Sequence, residues 1–115
     1  MTEARRRLGA RGEEAVAAWY EGAGYEVIAR NWRCRTGELD LILRRDGIYV
    51  FCEVKTRTST AFGAPQEAVT RTKQRRLRAL AAQWLQTAAP ARAAELRFDV
   101  ACVMGDEIEV LESAF

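Results

Sequence analysis

Histidine occurs nowhere in the 115 residues. Its absence excludes His-based nucleophilic triads and imidazole metal ligands, so carboxylates and lysine must carry any catalysis. Cysteine is scarce: Cys34, Cys52 and Cys102 are odd in number, widely spaced and outside any CxxC pair. That pattern argues against both a disulfide frame and a zinc site. No apolar run approaches the ~20 residues of a membrane span. The opening TEARRRLGARGEE also lacks the apolar stretch of a signal peptide. The expectation is a cytoplasmic protein with no membrane partner. Internal repeats, low-complexity tracts and signs of a second unit are missing too, so residues 1–115 are expected to form a single domain. A chain of this length buries roughly two-thirds of its unfolded surface.

Apolar residues make up 49% of the chain and charged residues 30%, which places it among globular proteins rather than disordered ones. The net charge of +2 hides an asymmetry. Residues 1–94 carry 17 basic and 10 acidic side chains, whereas residues 95–115 carry 1 and 6. The arginines cluster as Arg5, Arg6, Arg7 and Arg11, then Arg30, Arg33 and Arg35, then Arg71, Arg75, Arg76 and Arg78 with Lys73 among them. Basic clusters of this kind suit a phosphate backbone. Against that, arginine outnumbers lysine 16 to 2, so some of these residues simply solvate helix faces.

The stretch GELDLILRRDGIYVFCEVKTR, residues 37–57, concentrates the chemistry. Asp46-Gly47 between apolar runs is a strong two-residue hairpin signal. A turn centred there pairs Arg45 with Ile48, and by extension Asp40 with Glu53 and Glu38 with Lys55. The other face is then apolar, with Leu39, Leu41 and Leu43 meeting Val54, Cys52 and Val50. Directly opposed carboxylates have Cβ atoms ~5 Å apart and destabilise a hairpin. A bound hard cation removes the conflict, because such ions take carboxylate oxygens. Charged strand ends are common, but four ionisable groups converging on one face are less so.

Around this hairpin the pattern predicts an amphipathic helix over residues 3–22. Leu8, Gly12, Ala15, Val16 and Trp19 share one face and Glu13 lies at its edge. Gly9 and Gly12 each cost a helix about 1 kcal/mol relative to Ala, which suggests close approach to a sheet. YEVIARN, residues 25–31, reads as a first strand. Pro65 suits the first turn of a helix reaching about Thr87, with Val69, Leu77, Leu80, Ala81 and Trp84 as its buried stripe. Gln66 and Lys73 extend that stripe toward the sheet. Residues 56–64 read as a loop and 88–95 as a linker. LRFDVACVM and GDEIEVLESAF read as a buried strand and an edge strand, with Asp99 structural. A helix between the third and fourth strands requires a crossover and a parallel pair.

Glu38-Leu39-Asp40 followed after a hairpin by Glu53-Val54-Lys55 resembles the PD-(D/E)XK superfamily of metal-dependent nucleases. Gly9, Gly12-Glu13, Asn31, residues 37–42, residues 51–57 and Phe62-Gly63 resemble, more narrowly, the YraN-like family of small bacterial proteins. That family is grouped by similarity with Holliday junction resolvases and restriction endonucleases. The resemblance implies an α/β fold with a restriction-endonuclease-like core. Such a core is a mixed sheet of about five strands, an antiparallel hairpin plus a parallel crossover, flanked by helices. The family usually has a β-branched residue where this chain has Cys52, which the hairpin register turns to the apolar face.

On this basis Asp40, Glu53 and the Val54 carbonyl are the expected ligands of Mg²⁺ or Mn²⁺. Lys55 would orient a water or stabilise the transition state, and Glu13 or Glu38 could complete a second metal site. Arg35, Arg57, Gln66, Arg71, Lys73, Arg75 and Arg78 are the candidate nucleic-acid contacts. The expected activity is hydrolysis of phosphodiester bonds in DNA, with branched or junction DNA as one substrate. Nothing in the sequence reads bases, so DNA and RNA both stay open. The resemblance also implies a homodimer, with the last strand as its candidate edge. A nucleic-acid-binding module with a vestigial site is the alternative, and a purely structural partner protein leaves both charge clusters unexplained.

Overall fold

Asp46 and Gly47 both take positive φ, 50° and 80°, the conformation whose twist matches the strands of a two-residue hairpin. The computed structural model containing this turn describes residues 2–58, 69–88 and 95–115. The turn joins β2 (Gly37–Arg45) to β3 (Ile48–Arg57). Pairing runs from Arg45 with Ile48 to Leu41 with Cys52, in the register expected of the sequence.

Beyond Leu41 the expected pairs are not formed. The ladder ends, and the Val54 N–H donates instead to the Asp40 side chain, to Oδ2 at 2.9 Å. This break alters the expected apolar face. Leu41, Leu43, Val50 and Cys52 pack in one core layer with Val54 beside them, but Leu39 joins the opposite layer with Ile42 and Phe51. Simple alternation fails where a carboxylate replaces a backbone partner.

The sheet has five strands in the order β1-β2-β3-β4-β5. β1 (Glu26–Cys34) runs antiparallel to β2 and extends past the expected end at Asn31. β4 (Glu95–Met104) lies parallel to β3, as the crossover requires, and β5 (Glu107–Leu111) pairs antiparallel at the edge. The protein is therefore α/β, a mixed sheet flanked by two helices. Among the described residues no helix is long and apolar enough to cross a membrane.

α1 (Glu3–Gly22) begins where the Thr2 hydroxyl accepts the Arg5 N–H, a side-chain cap for an otherwise unpaired donor. Its buried residues are Gly12, Val16, Ala17 and Tyr20. The expected Leu8 and Trp19 instead remain 36% and 41% exposed. The helix is turned so that the Tyr20 hydroxyl donates to the fully buried Asp99 on β4, at 2.6 Å. Arg97 and the Ser113 N–H also donate to Asp99. A buried carboxylate with this many donors is a structural anchor, the role read for it from sequence. Gly12 is the close approach expected, since a Cβ there would stand 2.1 Å from Thr56 Oγ1, whereas Gly9 faces open space.

α2 (Arg71–Ala88) buries Leu77, Leu80, Ala81 and Trp84, with Val69 just before it, the stripe read from sequence. Trp84 packs its ring against Tyr49 and Phe51 of β3. The expected helix from Pro65 is not continuous, because Val69 and Thr70 are non-helical and α2 begins at Arg71, where the Thr70 hydroxyl accepts the Lys73 N–H. Pro65 itself, the pair Phe62-Gly63 and Gln66 lie outside the described residues, as does most of the 56–64 loop and the 88–95 linker.

Candidate metal centre and its basic rim

The break in the β2–β3 ladder brings the Asp40 and Glu53 carboxyls into hydrogen-bonding contact. Both come from strand positions that the register fixes, and both are largely removed from water. Burial, then the hydrogen bond and charge of Glu53, push the Asp40 carboxyl up to about 9, although the Val54 N–H opposes this. The Asp40 proton is correspondingly hard to remove. Burial also disfavours charge on Glu53, but hydrogen bonds from Asp40 and Lys73 outweigh it and hold Glu53 below the usual carboxylate range. Moving the two carboxyls in opposite directions is the expected response of two acids that share a site.

Two lysines face the pair. Lys73 reaches from the first turn of α2, with Nζ 2.9 Å from Glu53 Oε2. Lys55, two residues beyond Glu53 on β3, is lowered by burial and by the Lys73 ammonium beside it. Lys73 moves the other way: burial would lower it, but its hydrogen bonds to Lys55 and Glu53 leave it raised. Sequence reading placed Lys73 near the site and assigned it to nucleic acid. It did not show that Lys73 closes an ion pair inside the acid cluster, because that depends on how α2 crosses the sheet.

The remaining acids divide. Glu13 on α1 is half-buried and raised, first by burial and then by repulsion from Glu38 and Glu53, with Arg33 opposing. It belongs to the same electrostatic neighbourhood. Glu38 is paired with Arg33 across the β1–β2 ladder, so its charge is already answered by a neighbour. Among the described residues no three Asp, Glu, Cys or His side chains converge closely enough to hold a metal by themselves. A cation at this point would have Asp40, Glu53 and water as its main partners. Mg²⁺ tolerates such a sparse protein ligand set because it keeps several waters. A buried acid pair that draws both a proton and the Lys73 ammonium fits a divalent ion.

The basic residues gather at the same end of the sheet. Arg35 is exposed in the turn between β1 and β2, Arg57 is half-buried at the end of β3, and Arg71 and Arg75 are exposed on the first turns of α2. The N-terminal half of α1, with its own arginines, meets that end where Gly12 touches Thr56. Arg78 is exposed on the solvent side of α2, as expected, but it is not free of neighbours. Its guanidinium stacks on Phe98 at 4.7 Å and on Phe115 at 5.5 Å from the ring centres.

An α/β sheet with a buried carboxylate pair and two lysines at one end describes the class of site. The chain belongs to the family described as uncharacterised protein family UPF0102, which matches residues 12–103 and so spans Glu13, Asp40, Glu53, Lys55 and Lys73. A UPF0102 protein of Beutenbergia cavernae is 55% identical over 97 residues, covering 84% of this chain and 81% of that protein. One from Clavibacter michiganensis is 47% identical over 112 residues, 93% of this chain and 94% of that protein. One from Acidothermus cellulolyticus is 42% identical over 126 residues, 97% of this chain and 96% of that protein.

Proposed function

We propose that this protein is a metal-dependent endonuclease of the PD-(D/E)XK type, with a restriction-endonuclease-like core, hydrolysing phosphodiester bonds of DNA. The observation that carries the reading is the Asp40–Glu53 carboxyl pair with Lys55 two residues beyond it on the same strand. Two buried acids this close repel each other when both are ionised, and they suit a cation. Asp40, Glu53 and the Val54 carbonyl would hold Mg²⁺ or Mn²⁺, which when bound supplies an activated water and neutralises charge on the phosphate. Asp40 would have to be ionised to hold the cation, since ligand carboxyls bind without their proton. Lys55 orients the attacking water and sets positive charge against the phosphate as its own charge grows. Arg35, Arg57, Arg71 and Arg75 hold the nucleic-acid backbone at the rim, which supports recognition by shape rather than by base. A branched substrate and a homodimer with β5 as its edge belong to the same reading.

A nucleic-acid-binding module without catalysis has one observation in its favour: Lys73 already neutralises Glu53. Incubation with Mn²⁺ and a panel of linear, flapped and four-way DNA separates the two. The nuclease reading expects cuts that EDTA abolishes. Binding to the panel with no cut in any Mn²⁺ or Mg²⁺ condition would favour the binding module.

A further inference from the structure

Asn31 has a backbone φ of 49° in the middle of β1. This is the left-handed region, which side-chain-bearing residues avoid and Asn tolerates better than most. Its position in the ladder is specific. β1 pairs Arg30 with Leu41 and Trp32 with Leu39, so the residue facing Asn31 is Asp40. The Asn31–Asp40 pair is missing between those two pairs and the same register holds on both sides; the ladder's register shift lies apart from it, between Val27 and Ala29. No residue is inserted; a single pair is turned out of the ladder. On the other edge of β2, Asp40 is also where pairing with β3 stops and its side chain takes the Val54 N–H. Asn31 also lines, with Glu13, Arg30 and Leu41, a cavity of about 140 Å³ between α1 and the sheet.

We infer that Asn31 is a positioning residue for Asp40. Its left-handed turn withdraws the β1 backbone from β2 at one point. β2 is thereby free to bend there and carry the Asp40 carboxyl over to Val54 and Glu53. A residue held in ordinary extended conformation would complete the β1–β2 ladder and pull Asp40 back into register. The role lies in the backbone, so glycine should fill it and β-branched residues should not. The inference rests on the nuclease reading only in treating Asp40 as a metal ligand.

Asn31→Gly, Asn31→Ala and Asn31→Val test it with two readouts: hydrogen exchange at the Val54 amide without metal, and Mn²⁺ affinity by calorimetry. Asn31→Gly should keep Val54 protection and Mn²⁺ affinity near wild type. Asn31→Val should lose the protection and weaken Mn²⁺ by ~10–100-fold, the usual effect of losing a group that orients a ligand. Asn31→Ala carries the same test in milder form should the Val variant not fold. Loss in Asn31→Gly equal to that in Asn31→Ala would overturn the inference in favour of a side-chain contact. Unchanged protection in Asn31→Ala would overturn it outright. If the wild type binds no Mn²⁺, the nuclease reading fails, and Val54 protection alone still decides the role of Asn31.

Discussion

Lys73 of α2 and Glu53 of β3 form an ion pair at 2.9 Å inside the candidate metal centre, with Lys55 beside them. The Lys73 ammonium thus stands against the carboxylate that a divalent cation would need. Lys73→Met should lower metal-free stability by about 1–3 kcal/mol, the cost of a buried polar group left unpaired. It should also tighten Mn²⁺ binding several-fold, because no ammonium competes for Glu53. Melting in EDTA and calorimetric titration check the two halves. Equal Mn²⁺ affinity in wild type and variant would show that lysine and ion do not share Glu53.

Asp40 sets the pH dependence. Its folded value, about 9, lies above the unfolded ~3.9. Between those values the folded protein holds the extra proton, so metal-free stability should fall as pH rises. Below the unfolded value the contribution is fully present. Glu53, held low, acts in reverse and loses its contribution only as pH falls through the acid range. Urea unfolding in EDTA at about pH 5 and about pH 8 should find wild type weaker at the higher pH. Asp40→Asn should change little between them, match or exceed wild type at the higher pH, and gain less from Mn²⁺. Equal wild-type stability at both would mean that the pair ionises without strain.

Gly12 tests the seating of α1. Gly12→Ala gains roughly 1 kcal/mol of helix propensity but drives a methyl into Thr56 Oγ1. Overpacking of this kind costs typically 1–3 kcal/mol, so net stability should fall. Combining it with Thr56→Ala should recover most of the loss. A Gly12→Ala protein more stable than wild type would show that the helix can shift freely over β3.

Arg71, Arg75 and Arg78 are all exposed on α2, and Arg78 alone of the three also stacks on two aromatic rings. Replacing Arg71 and Arg75 with Gln should flatten the dependence of log K on log salt by up to ~0.9 per lost contact on duplex DNA. Arg78→Gln should leave that slope alone and lower the melting temperature instead. The opposite pattern would move Arg78 back to the nucleic-acid rim.

Much of this arrangement was legible in the sequence, and the parts that were not share a cause. Asp46-Gly47 fixed the hairpin register because the turn type admits few residues, and the crossover made β3 and β4 parallel. The stripe on α2 followed from large apolar residues at helical spacing. The face of α1 did not, because what orients that helix is a hydrogen bond from Tyr20 to Asp99, 79 residues away. Asp40 and Glu53 were brought together as expected, yet through a broken ladder rather than a regular pair. The signal for that break was Asn31 inside a strand pattern, a residue that tolerates left-handed backbone. Lys73 on Glu53 depends on helix placement, which periodicity alone does not determine.

The central claim is that Glu53 is needed for cleavage and not for DNA binding. The most direct measurement compares wild type with Glu53→Gln, near-isosteric and lacking the charge, on four-way and linear DNA in Mn²⁺ at matched bound fractions. The account predicts that Glu53→Gln binds the DNA within a few-fold of wild type and makes no cut above the EDTA background. Cleavage by Glu53→Gln at the wild-type rate would contradict it.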